Sequence, residues 1–294
     1  MKLILVATDF SKTANNAVKY AADLAKISGA RLIIYNAYDT YTPINTYDLI
    51  PLPFVDLRKA SFRKLRSLEL RINRLYPTLQ VSIAYNEGNP HEQITAYAKA
   101  KHPDLIVIGA NTDNLIKRVI GSTTSELIKH SEFPVLTIPA GAKFRPLNKV
   151  LFAYDLESIS EEAIKWVNQI SALYSAQVDV LSLVKDMLYF EKSIPEKRDK
   201  IIKAFKGIHP EVFFSESNNF VSGIEIYIKK HKAELIITQH RKHGFFYRLV
   251  NGSTTKDLSF ELSVPLLSIP ETAQRSNLKI NNQFTLSELV FPNP

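Results

Sequence analysis

DLIVIGANTDNLIKRVIGSTTSELIKHSEFPVLTIP, Asp104 to Pro139, is the stretch whose reading decides the fold. An apolar run, Leu105 to Ile108, breaks at Gly109 and is followed by a polar loop. Ile-Gly-Ser-Thr-Thr then leads into a helical pattern, and a second apolar run, Val135 to Ile138, sits between two prolines. Strand, loop, helix, strand is the order this predicts. Thr123 and Glu126 stand at capping-box spacing, which predicts a helix start at Ser122 or Thr123. Gly121 just before it permits a tight turn and close approach of the backbone to a ligand. A helix N-terminus with free N–H groups and hydroxyls beside it suits an anion such as phosphate, and plain helix capping explains the same residues.

The same pattern occurs again in Glu234 to Pro270. Gly252-Ser253-Thr254-Thr255 repeats Gly121-Ser122-Thr123-Thr124, and Pro265 follows the second copy at the interval at which Pro134 follows the first. KLILVATDFS from Lys2 matches KVLFAYDLES from Lys149, so that Asp155 repeats Asp9. A repeat of this length means two homologous domains rather than a solenoid. The expected boundaries are 1–141 and 147–270, with a tail over 271–294. The chain of 294 residues is long enough for two cores.

The chain has no cysteine, which excludes disulfides and thiolate metal sites and fits a reducing compartment. The start shows neither a signal peptide nor a membrane-spanning run. A soluble, cytoplasmic protein is expected. The net charge of +8 is moderate. Its main local concentration is a predicted helix over 55–76 that carries Arg58, Lys59, Arg63, Lys64, Arg66, Arg71 and Arg74, with Leu65, Leu68, Ile72 and Leu75 on one face. With no binding motif and little aromatic interleaving, this reads as a solvated face. Neither membrane nor nucleic acid is expected as a partner.

In the first copy, strands are predicted at 3–7, 31–37 and 79–85, and helices at 11–28, 55–76 and 91–101, ahead of the quoted stretch. In the second copy they are predicted at 149–154, 176–183, 211–215, 234–239 and 264–269. The helices there fall near 158–174, 195–206, 220–232 and 254–262. Alternation of this kind implies parallel sheets with right-handed crossovers and helices on both faces. In such sheets ligands sit beyond the carboxyl ends of the strands, where Asp9, Gly88 and Gly109 all fall.

Thr8-Asp9-Phe10-Ser11 after a strand, the Gly88-x-Pro90 turn, and Gly109 followed by Gly121-Ser122 resemble a universal stress protein domain. The resemblance covers both halves and makes the chain similar to a tandem universal stress protein. It implies an α/β fold: two five-stranded parallel sheets sandwiched by helices, Rossmann-like, paired through their last strands as a pseudo-dimer. It implies ATP or another adenine nucleotide as ligand. Asp9 would accept from the adenine amino group, Ala37 would meet adenine through its backbone, and Gly88 would admit the ribose.

Nucleotide-binding members carry Gly-x2-Gly-x9-Gly-Ser/Thr. Here the first glycine is Gly109, the second position falls at Thr112, and Gly121-Ser122-Thr123 closes the motif one residue early. In the second copy Gly252-Ser253 closes it at the right interval, but Gln239 and Lys242 replace the first two glycines, and Ser217-Asn218-Asn219 has no counterpart of Gly88. The expectation is weak nucleotide binding, mainly in the first domain, by a non-enzymatic protein that acts through protein partners. A nucleotide-free scaffold and a slow ATPase or nucleotide-transfer enzyme are the alternatives. Neither a P-loop nor a nucleophile elbow is present. Asp113, Lys117 and Arg118 are the charged groups nearest the loop, and none makes a persuasive catalyst. His240 and His243 read as exposed loop histidines, and Tyr38, Tyr41 and Tyr47 as a lid or a packed surface loop. No metal is expected, and a homodimer of such chains is left open.

Overall fold

The computed structural model describes residues 1–38, 56–110, 122–156, 158–217, 219–240 and 263–271. The first half runs β1 (Leu3–Ala7), α1 (Lys12–Ser28), β2 (Arg31–Tyr38), α2 (Leu57–Leu75), β3 (Val81–Glu87), α3 (Pro90–Lys101), β4 (Leu105–Gly109), α4 (Ser122–His130) and β5 (Val135–Ile138). The second runs β6 (Lys149–Ala153), α5 (Glu161–Tyr174), β7 (Gln177–Val184), α6 (Met187–Phe190), a 3-10 turn (Glu191–Ser193), α7 (Ile194–Ala204), β8 (Glu211–Glu216), α8 (Phe220–His231), β9 (Leu235–His240) and β10 (Leu266–Pro270).

Local chemistry explains the helix ends. The Ser11 hydroxyl accepts the Ala14 N–H at the start of α1, and Gly29 at φ 68° closes the helix in the left-handed region. Asp56 caps α2 by accepting from Lys59 N–H. Asn89 caps α3, whose first turn carries Pro90. Several boundaries differ from expectation. β3 begins two residues later than the predicted 79–85. α5 begins at Glu161 rather than near 158, because Leu156 takes φ 68° and Ser160 is the residue that caps the helix. α6 and the 3-10 turn were not anticipated; Asp186 caps α6 by accepting from Leu188 and Tyr189 N–H groups. Leu75 was expected on one face with Leu65, Leu68 and Ile72; those three are buried, and Leu75 is exposed at the last turn of α2. The predicted helix over 254–262 and the tail beyond Glu271 lie outside the described residues.

All ten strands form one sheet in the order β3-β2-β1-β4-β5-β10-β9-β6-β7-β8. Within each half the five strands are parallel. The two halves meet where β5 and β10 pair antiparallel, with Leu136 opposite Leu267. Pairing through the last strands was the expectation. The structure adds that it makes the two sheets continuous.

One core packs α1, α2, α5 and α7 on one face, running unbroken across both halves. The other packs α3, α4 and α8 on the opposite face. Small residues let α1 lie close on the sheet: Ala14, Ala17, Ala21 and Ala25 are all buried. Leu136 and Leu267 are almost fully buried at the junction. Either one truncated to alanine should cost about 2–5 kcal/mol, from lost transfer energy and the cavity left behind. Because the two side chains are cross-strand neighbours, the double variant should lose less or more than the sum of the single losses. Urea denaturation of the four proteins measures this, and strict additivity would speak against contact between the two side chains.

Candidate functional site

The strand order reverses beside β1, between β2 and β4, so the crevice beyond their carboxyl ends is where a ligand is expected. The turn that leaves β1 is held tightly there. Thr8 N–H donates to the Tyr35 carbonyl at 2.9 Å. The Asn36 amide donates to the Thr8 carbonyl at 2.7 Å, and the Ser61 hydroxyl of α2 donates to Asn36 Oδ1 at 2.6 Å. Thr8, Asn36 and Ser61 are all buried. Phe10 N–H then donates to Thr8 Oγ1 at 3.0 Å, and Asn15 Nδ2 to the Phe10 carbonyl at 3.0 Å. These bonds hold Phe10 at φ 68°, a conformation that a bulky L-residue adopts only under constraint. Asp9 is left exposed, one carboxylate oxygen accepting from Ser11 N–H at 2.9 Å. Lys64 reaches over the Phe10 ring, 5.3 Å from its centroid.

Ala37 is half-buried near the end of β2, opposite Asn86 of β3. Gly88 takes φ 129°, and its N–H donates to the Tyr38 carbonyl at 2.9 Å. A Cβ there would also approach Gln93 Nε2 to 2.8 Å, but that side-chain end can shift, so it is the backbone angle that calls for glycine. Around this turn Tyr38 and Phe62 pack near Tyr85, and Arg58 hydrogen-bonds the Tyr85 side chain. Tyr35 stacks on Tyr97 and donates its hydroxyl to Asn86; burial pushes its phenol well above the usual range.

Gly109 ends β4 in contact with α1. A Cβ at that position would lie 3.0 Å from Thr13 Cγ2 and 3.1 Å from Ala14 N. Close helix–strand packing thus gives this glycine a structural role beside the one expected from the nucleotide motif. Thr124 Oγ1 donates to the Gly109 carbonyl at 3.3 Å, tying the first turn of α4 to the same strand end. α4 begins at Ser122, as expected, with Ser122 exposed and Thr123 half-buried. The capping box is not formed as the spacing suggested. Thr123 is already inside the helix, and the Glu126 carboxylate pairs with Lys129 at 2.9 Å and His130 at 3.3 Å, interactions that hold it below its ordinary pKa. Thr112 and Gly121, with Asp113, Lys117 and Arg118, lie outside the described residues, as do Tyr41 and Tyr47.

The second half is built differently at the matching places. Asp155 is half-buried, and Leu156 repeats the strained φ of 68°. Gln239 pairs with Ile269 as Gly109 pairs with Ile138, so it occupies the glycine position. It is buried, and its Oε1 accepts from Ser160 N–H at 3.0 Å, at the start of α5. Ser182 is the sixth residue of β7 as Asn36 is of β2; its buried hydroxyl has no hydrogen-bond partner among the described residues. Gly252, Ser253 and His243 lie outside the described residues. His240 is no exposed loop residue: it ends β9, half-buried, against Lys129 of α4. No group of side chains that could hold a metal occurs among the described residues.

Sequence reasoning passed over Asn36, Ser61 and the capping role of Gln239. One signal was available for Asn36, a lone amide inside an otherwise apolar strand, where a buried polar group must find partners.

Strand order, helices on both faces and a strained turn after the first strand define a tandem Rossmann-like α/β protein. Residues 1–139 match the model of the universal stress protein family, and the second half repeats the fold of this first half. A protein carrying the universal stress protein name in Staphylococcus haemolyticus (strain JCSC1435) is 27% identical over 139 residues, covering 47% of this chain and 84% of its own. The crystal structure of a universal stress protein from Archaeoglobus fulgidus DSM 4304 covers 92% of this chain and 98% of its own, with TM-score 0.70 and 15% identity, which shows a shared fold. A universal stress protein solved in complex with cAMP matches 48% of this chain and 98% of its own, at 22% identity and TM-score 0.38. No helix among the described residues is long and apolar enough to cross a membrane.

Burial is the main cause that holds the His240 imidazole below its ordinary pKa of 6.5. In the folded protein it is thus neutral where an unfolded histidine is charging. Its contribution to stability is complete above about pH 6.5 and is lost as the pH falls below that value towards the folded pKa. Denaturation midpoints of the parent and His240→Asn should therefore converge on acidification. A constant difference between them across that range would place His240 in water.

Proposed function

We propose that the first half binds an adenine nucleotide in the crevice beyond β1, β2 and β4. On this reading the protein is a cytoplasmic, non-catalytic stress-response module that acts through protein partners. The observation that carries the proposal is the difference between the two turns that follow the first strand of each half. In the first, Asp9 is exposed at the crevice. In the second, Asp155 is half-buried, and Gln239 at the neighbouring strand end is buried and anchored on Ser160. The residues of the first half suit the ligand. An exposed Asp9 carboxylate can accept from the exocyclic amine of adenine, and Ser122 and Thr123 stand in the first turn of α4, where backbone N–H groups favour an anion.

Magnitudes set the character of such binding. A helix N-terminus contributes about 0.3–2 kcal/mol to holding an anion, while micromolar affinity needs about 8 kcal/mol. Base and ribose contacts must supply most of the difference. A nucleotide held mainly by its base is not thereby activated at its phosphates. Non-catalytic action is further supported by the sequence, which has no P-loop and no nucleophile elbow.

Calorimetry with ATP, ADP and AMP tests the binding. One site per chain is expected, with Asp9→Ala weakening it about tenfold or more, the order of one charged hydrogen bond. Asp155→Ala should leave it unchanged. Two equal sites, or equal loss from the two substitutions, would overturn the assignment to the first half.

The non-catalytic reading has its own assay. With protein in excess over ATP and magnesium present, the nucleotide should be recovered intact by chromatography after many minutes. Rapid conversion to ADP or AMP that a second-half substitution leaves unchanged and Asp9→Ala abolishes would make the protein an enzyme.

A further inference from the structure

Helix α2 is an unusual place in this molecule. It carries Arg58, Lys59, Arg63, Lys64, Arg66, Arg71 and Arg74 against Glu69, so seven cations less one anion leave +6 of the chain's net +8 on 19 residues. The composition is as skewed as the charge. α2 holds five of the chain's twelve arginines but only two of its twenty-five lysines. The matching helix of the second half, α7, carries Lys197, Arg198, Lys200 and Lys203 against Glu196 and Asp199, four cations less two anions. The charge is therefore a property of one end of the molecule and not of the repeated fold.

From sequence alone such a run reads as a solvated face. The structure changes the balance. All seven cations are exposed, while the anion is buried and already engaged by Arg66. Asp56 at the helix start is engaged by Lys59. Arg63, Arg71 and Arg74 have no acidic partner among the described residues. Lys59, Arg63, Arg66 and Arg74 follow one stripe of the outer face, with Leu70 between the last two. That stripe spans about 22 Å at the rise of an α-helix. α2 packs on β2 and on β3, the strand that ends the ten-stranded sheet, so nothing in the described chain lies beyond it.

We propose that the outer face of α2 is a docking surface for the phosphate backbone of a nucleic acid. A row of four exposed cations over about 22 Å, of which Arg63 and Arg74 have no acidic partner among the described residues, matches a polymer that carries a charge every ~1.7 Å of duplex axis. Arginine in place of lysine favours phosphate specifically, because the planar guanidinium binds two of its oxygens at once. An anionic membrane is the weaker fit. A helix that lies in a bilayer surface needs an apolar face to insert, and α2 has spent Leu65, Leu68 and Ile72 on the protein core. Phe62, which is exposed, leans on Tyr85 at the sheet edge, and Leu75 lies on the other flank, so Leu70 alone stands within the cationic stripe. Contact of this kind reads charge and spacing rather than base sequence.

Fluorescence anisotropy of the full chain with a labelled mixed-sequence DNA duplex, and separately with an RNA of similar length, tests the proposal. With about four phosphate contacts, raising the salt from about 50 to 200 mM should weaken binding on the order of 100-fold. Arg63→Gln combined with Arg74→Gln should weaken binding at low salt and make the salt dependence shallower by about two in the log–log slope. Both residues are exposed and unpaired, and glutamine keeps helix propensity, so the thermal midpoint should not move. Lys200→Gln with Lys203→Gln on α7 should have no effect. Binding by either nucleic acid with this pattern supports the proposal, and which of the two binds tighter names the source. It is overturned by no binding to either at low salt, by binding that the α2 variant leaves unchanged, or by capture on phosphatidylserine vesicles without binding to nucleic acid.

Discussion

The antiparallel pairing of β5 with β10 is the contact on which the rest of the molecule depends. Alone, each half would end in a short apolar strand with a free edge, which is a template for association. Joined, the two edges satisfy one another, and five parallel strands on each side become one sheet. The pairing also fixes where sites can be. Because the halves run in opposite directions across the junction, their carboxyl edges face opposite ways. Two ligands, if both crevices could take one, would sit on opposite edges of the sheet and could not touch. On one face the pairing brings α1 and α5 together. There Tyr20, Leu24, Leu105 and Leu136 meet their counterparts Trp166, Ile170, Leu235 and Leu267 around a small apolar gap. Burial in that junction raises the Tyr20 phenol to about 12.

The two halves have kept the frame and exchanged the polar interior. In the first, Asn36 and Ser61 tie α2 to the turn after β1. In the second, Asp179 is fully buried at the third position of β7, where β2 has Ile33. Its Oδ2 is 3.2 Å from Lys149 Nζ and accepts from the Tyr227 hydroxyl at 2.9 Å. Burial first, and then the bond to Asp179, raise the Tyr227 phenol. Removing one partner from such a network leaves a buried charge uncompensated, which is why it must be kept or lost as a unit. The first half has Tyr97 at the place of Tyr227, stacked on Tyr35 instead of bonded to a carboxylate.

Much of this was legible in the sequence, and the reason is that it is local. Strand and helix alternation, the turn at Gly88-x-Pro90 and the internal repeat all follow from the sequence without knowledge of tertiary contacts. The pairing of the last strands was implied by the family resemblance, and their proline-bounded apolar runs fit it. What could not be read are contacts between distant residues. Gln239 meets Ser160, Asn36 meets Ser61, and His240 meets α4, each across a large separation in sequence. Gly109 shows the limit from the other side. Its presence was noticed for a ligand, and the structure adds that a Cβ there would crowd Thr13 and the Ala14 backbone of α1.

The strained turn after the first strand bears on how such features should be weighed. Phe10 and Leu156 both hold φ at 68°, a conformation that costs a non-glycine residue about 1–3 kcal/mol. Were the strain maintained for a ligand alone, it should have relaxed in the half whose strand end is filled by Gln239. It has not. The turn must therefore serve the fold in both halves, by carrying the chain from the end of a buried strand back over the sheet into the first helix. Strain at that position says that the crevice is rigid, and it says so equally of both copies. What distinguishes them is the next layer of side chains: an exposed Asp9 beside a bare Gly109 in one, a half-buried Asp155 and a buried, anchored Gln239 in the other. What separates the two crevices is thus their side chains and not the backbone turn, which both copies keep.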